Sequence, residues 1–169
     1  DRRRTPDILL APLLNSIRQK PSRGIVRLIG PLPAEELAEI AKYDNRFEEM
    51  GWRIECPGSM PRDRLLEMLP KASGLLMISA SRAAIPSKLF EYIVAHRPIL
   101  VVTERNSATW QVCEKLPQAF LIASGGEPST SDACDFLEIA GTGAPIGTCP
   151  EAFSEISLAH LFRRYIERL

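Results

Sequence analysis

Predicted strands and helices alternate along this chain with short links, and this alternation constrains the fold more than any other feature. Five short segments rich in branched apolar residues predict strands: GIVRLIG at 24–30, WRIEC at 52–56, GLLMIS at 74–79, PILVVT at 98–103 and QAFLIA at 118–123. Each strand is followed by a segment in which apolar residues recur at helical spacing. Strand–helix–strand order is typical of parallel sheets, so the sequence predicts an α/β fold with an open, doubly wound, mostly parallel sheet and helices on both faces.

The segments GLLMIS and PILVVT are apolar throughout, which is typical of strands covered on both faces. We therefore expect both at the centre of the sheet, parallel, with the helix at 87–95 connecting them. Other helices are predicted at residues 6–20, 33–50, 61–70, 107–116, 129–140 and 152–169. In open parallel sheets ligands bind beyond the carboxyl ends of the strands, so the informative loops are those after Gly30, Cys56, Ser79 and Thr103.

Length and composition favour one globular domain over residues 1–169. The chain is 45% hydrophobic and 25% charged, with a formal net charge of zero. This balance disfavours a nucleic-acid-binding or membrane-surface protein held by bulk charge. No apolar run is long enough to span a bilayer. The opening DRRRTPD lacks the apolar region of a signal peptide and an initiator Met, so an internal start is expected.

Several motifs of common catalytic and metal-binding sites do not occur in this sequence. The sequence contains no Walker-type G-x-x-x-x-G-K-[ST], no G-x-S-x-G and no H-E-x-x-H, and no G-x-G-x-x-G follows a strand. The four cysteines show no C-x-x-C spacing and no histidine partners at metal spacing. We expect free thiols in a reducing, cytoplasmic compartment and no metal site.

The loop after GLLMIS, with sequence SASRAAIPSKLFEY, carries the most suggestive polar residues. Ser87 is placed to cap a helix, and Lys88 adds a positive charge in its first turn. The helix dipole makes that charge unfavourable by a few tenths to about 1 kcal/mol, whereas a bound phosphate would reverse the sign. The alternative, in which Lys88 points to solvent, stays open on these residues.

Glu91 lies four residues after Ser87, so both project from the same side of the predicted helix. A carboxylate at this place can accept hydrogen bonds from both hydroxyls of a ribose. The alternative is a glutamate that bonds only the start of its own helix. Taken alone, these residues favour the alternative.

The segment PSKLFEYIVAHRPIL at 86–100 resembles a signature of GT-B-fold retaining glycosyltransferases that use nucleotide sugars, in their C-terminal, Rossmann-like domain. The family pattern reads roughly P-x-K-x-F-E-Y-hydrophobic-A-x-G-x-P-hydrophobic. The segments VRLIG, CPGSMPRDRLLEMLPKASGLLMIS and AFSEISLAHLFRRYIERL agree with the family in order, so the resemblance covers nearly the whole chain. The matching residues of the signature are Pro86, Lys88, Phe90, Glu91, Tyr92, Ala95, Pro98 and Ile99.

The resemblance implies a cleft that binds a nucleoside diphosphate sugar as donor substrate, with no separate cofactor and no metal. Glu91 would bind the ribose hydroxyls. The other implied contacts are Ser87 and Lys88 with the diphosphate, Pro57, Gly58 and Ser59 with the base, and the loop of Ser81, Arg82, Ala83 and Ala84 with the donor sugar. The catalytic residues are not identified by the resemblance.

Three departures from the family pattern affect this expectation. Ala83 stands where the family often carries a second Glu, so a sugar contact is lost or supplied elsewhere. His96 replaces the Gly that usually ends the helix. The chain starts after the family's first strand and Gly-rich turn, so residues 2–4 would be their remnant. There Arg4 reaches phosphate or is simply a solvated basic residue, and the two interpretations are equally supported.

The expected partners are the nucleotide sugar and an N-terminal acceptor-binding domain of the same polypeptide, which this sequence does not contain. The fragment is expected to hold the donor and to be inactive alone, with membrane association, if any, through the other half. No nucleic acid partner is expected. Two alternatives stay open: a sugar-nucleotide epimerase of the same fold, and a non-catalytic nucleotide-sugar-binding module, which Ala83 favours.

Overall fold

A computed structural model describes residues 5–125 and 130–146 of the chain. Within them, none of the helices is long and apolar enough to cross a membrane. The predicted helix at 152–169 lies outside the described residues. The elements are α1 (Asp7–Gln19), β1 (Gly24–Ile29), α2 (Ala34–Glu49), β2 (Trp52–Gly58), α3 (Arg62–Met68), a 3-10 turn (Leu69–Lys71), β3 (Leu75–Ser79), α4 (Lys88–Val94), β4 (Ile99–Thr103), α5 (Ala108–Cys113), β5 (Ala119–Ala123) and α6 (Thr130–Thr142).

All five predicted strands form, and every strand pairing in the described part of the chain is parallel. β1 pairs with β2 in one small sheet, and β3, β4 and β5 pair in that order in another. Helices flank the strands, so the predicted α/β fold with parallel strands is confirmed. The arrangement is consistent with an open Rossmann-like fold.

The prediction that GLLMIS and PILVVT are both central is right for one strand only. PILVVT forms β4, which lies between β3 and β5 and is buried at all five positions. GLLMIS forms β3, which lies at the edge of the three-stranded sheet. An edge strand can still be apolar throughout when helices cover both of its faces. In β3, Leu75 and Met77 are buried on one face, and Leu76 and Ile78 are half-buried on the other.

Two hydrophobic clusters lie on opposite faces of the three-stranded sheet. Leu100 and Val102 of β4 belong to the cluster that α1, α2 and α6 cover, and this cluster also contains Val26 of β1. Ile99 and Val101 belong to the other cluster, which α4 and α5 cover. Successive side chains of a strand point to opposite faces, so a strand between two helical layers needs an unbroken apolar run. The first cluster also joins the two sheets.

β2 continues two residues beyond the predicted end at Cys56. Pro57 and Gly58 were expected in the following loop, and the structure places both in the strand. The Gly58 carbonyl accepts a hydrogen bond from the N–H of Gly30 at 3.0 Å, which keeps the ends of β1 and β2 together. The pairing register shifts between Arg27 and Ile29. Such an irregularity accommodates a proline, which has no N–H to donate.

His96, which stands where the family pattern has a helix-ending Gly, adopts the left-handed backbone conformation, with φ of 53°. Its N–H bonds the Ile93 carbonyl at 3.2 Å, and its own carbonyl accepts from the N–H of Ile146 at 3.1 Å. Glycine adopts this conformation without steric cost, whereas a side chain with a Cβ is strained there. The histidine therefore keeps the helix-ending turn at some expense in stability.

Free thiols are confirmed for the three cysteines that the structure describes. Cys56 is exposed, and Cys113 and Cys134 are buried. Burial raises the pKa of the Cys113 thiol to about 12, so this residue is protonated at neutral pH. A protonated, buried thiol is neither a nucleophile nor a metal ligand. The fourth cysteine, Cys149, lies outside the described residues.

Candidate functional site

The connection between β3 and α4, residues 80–87, lies at the carboxyl end of β3 and is held in place by hydrogen bonds to backbone N–H groups. Ser81 Oγ accepts a hydrogen bond from the N–H of Ala84 at 2.9 Å, which closes a turn. The Arg82 carbonyl accepts from the N–H of Ala108, the first residue of α5, at 2.9 Å. This loop, predicted to lie beside a donor sugar, is thus anchored to the neighbouring β4–α5 connection.

Two pairs of buried hydroxyl groups lie at the carboxyl ends of β3 and β4, next to this loop. Ser79 Oγ and Thr109 Oγ1 lie 3.0 Å apart, and Thr103 Oγ1 and Ser107 Oγ also lie 3.0 Å apart. All four residues are at most 3% exposed. A buried hydroxyl requires a hydrogen-bond partner, so each pair satisfies its own members while joining the end of a strand to α5 or its cap.

Sequence analysis did not identify these hydroxyl pairs. The available signal was that both apolar strands end in a hydroxyl residue, Ser79 and Thr103, just before the loop at the carboxyl end of the strand. The pairing itself depends on how α5 packs against β3 and β4, which no local pattern specifies.

The predicted capping role of Ser87 is wrong. Its backbone is already helical, with φ of −56° and ψ of −33°, and its side chain makes no capping hydrogen bond. A capping side chain reaches the helix N–H groups from an extended backbone. Ser107 illustrates the difference at α5, because its ψ is 163° and its Oγ accepts from the N–H of Trp110 at 3.1 Å. Lys88 begins α4, in the first turn as predicted, and its side chain is exposed.

The carboxylate of Glu91 is engaged by an arginine from another element. Arg62 Nη2 donates to Glu91 Oε1 at 2.6 Å, with side-chain exposures of 74% for Arg62 and 26% for Glu91. The hydrogen bond and the charge of Glu91 raise the pKa of the Arg62 guanidinium. Burial, followed by the negative charge of Glu91, also raises the pKa of the neighbouring Tyr92 phenol. Glu91 therefore bonds a residue outside its own helix, whereas the alternative considered above had it bond only the start of that helix.

The contact between Arg62 and Glu91 joins the start of α3 to α4. Arg62 begins α3 only four residues after Gly58, so the ion pair ties the β2–α3 connection to α4. Ser59 lies in that connection and is exposed, and Gly58 has φ of 77°. Arg62 therefore links the start of α3, three residues after Ser59, to the residue expected to contact a ribose. Arg62 was not among the predicted site residues, because an arginine after a proline at a helix start is typical of a solvated surface.

The other predicted site residues are Arg82 and Ala83 in the β3–α4 connection and Arg4 near the start of the chain. Arg82 is exposed, and its Nε lies 3.6 Å from Glu104 Oε1 in the β4–α5 connection. Ala83 is exposed and has no polar group at the position where the family often carries a carboxylate. Arg4 lies outside the described residues. Among residues 5–125 and 130–146, no three His, Cys, Asp or Glu side chains are placed to hold a metal ion.

No protein-family model, curated protein or solved structure matches this chain. The resemblance of the segment at 86–100 to glycosyltransferases therefore stays a prediction. A proposal for function therefore depends on Glu91 and its contact with Arg62.

Proposed function

We propose that this chain is the donor-binding domain of a cytoplasmic glycosyltransferase. It binds a nucleoside diphosphate sugar, and the sugar is transferred to an acceptor held by a domain outside this sequence. One observation carries the proposal. The Glu91 carboxylate is partly exposed and lies against Arg62, which follows the Gly58–Ser59 connection by a few residues.

In this proposal Glu91 accepts hydrogen bonds from the two ribose hydroxyls. A carboxylate offers two oxygens with about four acceptor positions, and bonds to an ionised acceptor are stronger than neutral ones. Gly58 supports a base contact, since a residue without a side chain permits close approach of a planar ring. The base would therefore lie towards the end of β2, and the ribose between the base and α4.

The diphosphate lies next to Lys88 and Ser87 in this proposal. Breaking the bond between the anomeric carbon of the sugar and the diphosphate oxygen leaves negative charge on the diphosphate. A lysine near that oxygen stabilises the charge as it develops, which lowers the barrier to transfer. The groups that activate the acceptor are expected from the other domain.

Titration calorimetry of the chain against UDP, GDP, dTDP and ADP tests the proposal. We expect one base to bind at least about tenfold more tightly than the others, and the matching nucleotide sugar to compete for the same site. Failure of all four nucleotides to bind would contradict the proposal.

A second candidate function is that of a non-catalytic nucleotide-sugar-binding module. Ala83 favours it, because Ala83 stands where the family often carries a carboxylate beside the donor sugar. Sugar transfer by the full-length polypeptide distinguishes the two. Nucleotide binding without sugar transfer to any acceptor or to water would favour the binding module.

A further inference from the structure

We propose that Arg62 is a further ligand-binding residue, which exchanges the Glu91 carboxylate for the diphosphate of the bound nucleotide. In the unliganded protein the guanidinium occupies Glu91 Oε1 at 2.6 Å. When ribose hydroxyls take over that carboxylate, the guanidinium moves to the phosphates of the same ligand. This inference rests on the proposed nucleotide site.

The ion pair is weak enough to be exchanged. The Arg62 side chain is 74% exposed, so water and salt screen its attraction to Glu91. Exposed ion pairs of this kind change a folding or binding equilibrium constant by at most about fivefold. A ligand that displaces Arg62 therefore loses no more than about fivefold in affinity, which two hydrogen bonds to a carboxylate readily exceed.

The released guanidinium lies close to where the ligand carries its charge. In a nucleoside diphosphate, the phosphates are attached to the same ribose ring whose hydroxyls bond Glu91. Arg62 starts within hydrogen-bonding distance of that carboxylate, on a long and exposed side chain. The guanidinium fork matches phosphate oxygens in pairs, and such charge-assisted bonds are among the stronger ones in proteins.

A different arrangement would leave Arg62 in place. A carboxylate can accept several hydrogen bonds at once, so Arg62 could stay on Oε1 and orient Glu91 for the ribose. The two arrangements differ for a ligand without phosphate. An exchanged arginine competes with a free nucleoside, whereas an orienting arginine helps it to bind.

Calorimetry of Arg62→Ala with a nucleoside and with its diphosphate separates these arrangements. We expect Arg62→Ala to weaken the diphosphate by at least about fivefold and to leave the nucleoside unchanged or up to about fivefold tighter. Arg62→Lys, which keeps the charge and loses the fork, should fall between wild type and Arg62→Ala for the diphosphate. Arg64→Ala removes another exposed arginine of α3 and should change neither affinity. Both alanine variants should unfold at similar temperatures.

Three results would overturn this inference. Equal weakening of both ligands by Arg62→Ala would assign Arg62 an orienting role. If Arg62→Ala binds the diphosphate as tightly as wild type does, and Glu91→Gln still weakens that binding, then Arg62 forms a surface ion pair only. The proposed function would stand in that case, and this inference would not. No nucleotide binding by the wild-type protein would remove the proposed function and this inference together.

Discussion

Replacement of Gly74 by alanine should destabilise the fold through a single added methyl group. Gly74 immediately precedes β3, and a Cβ at this position would lie 2.6 Å from Phe136 Cζ and 2.8 Å from Cε2. Atoms in proteins do not approach so closely, so the ring of Phe136 or the start of β3 must move. Gly74 therefore reports directly on how tightly α6 packs against the sheet.

Phe136 has little room to yield. Its side chain is 4% exposed and packs edge-to-face on Phe120, with ring centroids 6.0 Å apart. Forcing extra volume into such a core costs about 1–3 kcal/mol. In a chain of this size 1 kcal/mol corresponds to about 2–4 °C, so we expect the midpoint of thermal unfolding to fall by about 2–12 °C.

Gly141→Ala is the matched control. Gly141 lies near the end of α6, and a Cβ there meets no atom within 4 Å. Alanine is the better helix former by up to about 1 kcal/mol, so this variant should be neutral or more stable. Thermal and urea unfolding followed by circular dichroism measure both variants.

A double-mutant cycle with Phe136→Leu identifies the cause of the loss. A smaller side chain leaves room for the new methyl group, so Gly74→Ala should cost less in the Phe136→Leu background than in wild type. Wild-type stability of Gly74→Ala, or an equal loss in both backgrounds, would refute the packing described for α6.

Two further outcomes follow from backbone strain and from burial. His96→Gly should raise the free energy of unfolding by about 0.5–1 kcal/mol in urea titrations, because glycine adopts the left-handed conformation without strain. Val94→Gly, two residues earlier in α4, is the control and should lower the free energy of unfolding by a similar amount. A loss of stability in both variants would contradict the strain assigned to His96. Burial, followed by a hydrogen bond to Asp7, raises the pKa of Tyr43 from 10.0 to about 12. The folded protein thus retains this proton more tightly, and the resulting stability, fully present below pH 10, is lost as pH rises towards 12. Tyr43→Phe should remove this part of the pH dependence of the urea midpoint, and an unchanged profile would contradict it.

The elements were predictable because each depends on local chemistry. The unbroken apolar run of β4 identified a strand between two helical layers, and helical spacing identified α2 and α6. The position of β3 was not predictable, since an edge strand covered on both faces carries the same apolar pattern as a central one. The end of β2 was missed because proline usually terminates a strand, and here a register shift admits Pro57.

The candidate site likewise contains residues proposed from the sequence and residues recognised only in the structure. Glu91 and Lys88 were predicted as ligand contacts from one contiguous segment and its resemblance to a family signature, and their roles stay predictions. Arg62 and the Ser79–Thr109 hydroxyl pair depend on contacts between residues about 30 positions apart, which only the packing of α3, α4 and α5 establishes. Ser87 was assigned a capping role from residue type, whereas its helical backbone turns its side chain away from that role.

Titration of Glu91→Gln and Lys88→Ala with a nucleoside and with its diphosphate tests whether Glu91 binds the ribose and Lys88 the diphosphate, as proposed. Charge-assisted hydrogen bonds contribute about 1.5–3 kcal/mol each, so Glu91→Gln should weaken both ligands by roughly 10- to 100-fold. Lys88→Ala should weaken the diphosphate and leave the nucleoside almost unchanged, because in the proposed site Lys88 contacts the phosphates and neither the ribose nor the base. Unchanged binding in Glu91→Gln, or equal losses of both ligands in Lys88→Ala, would contradict the assigned roles.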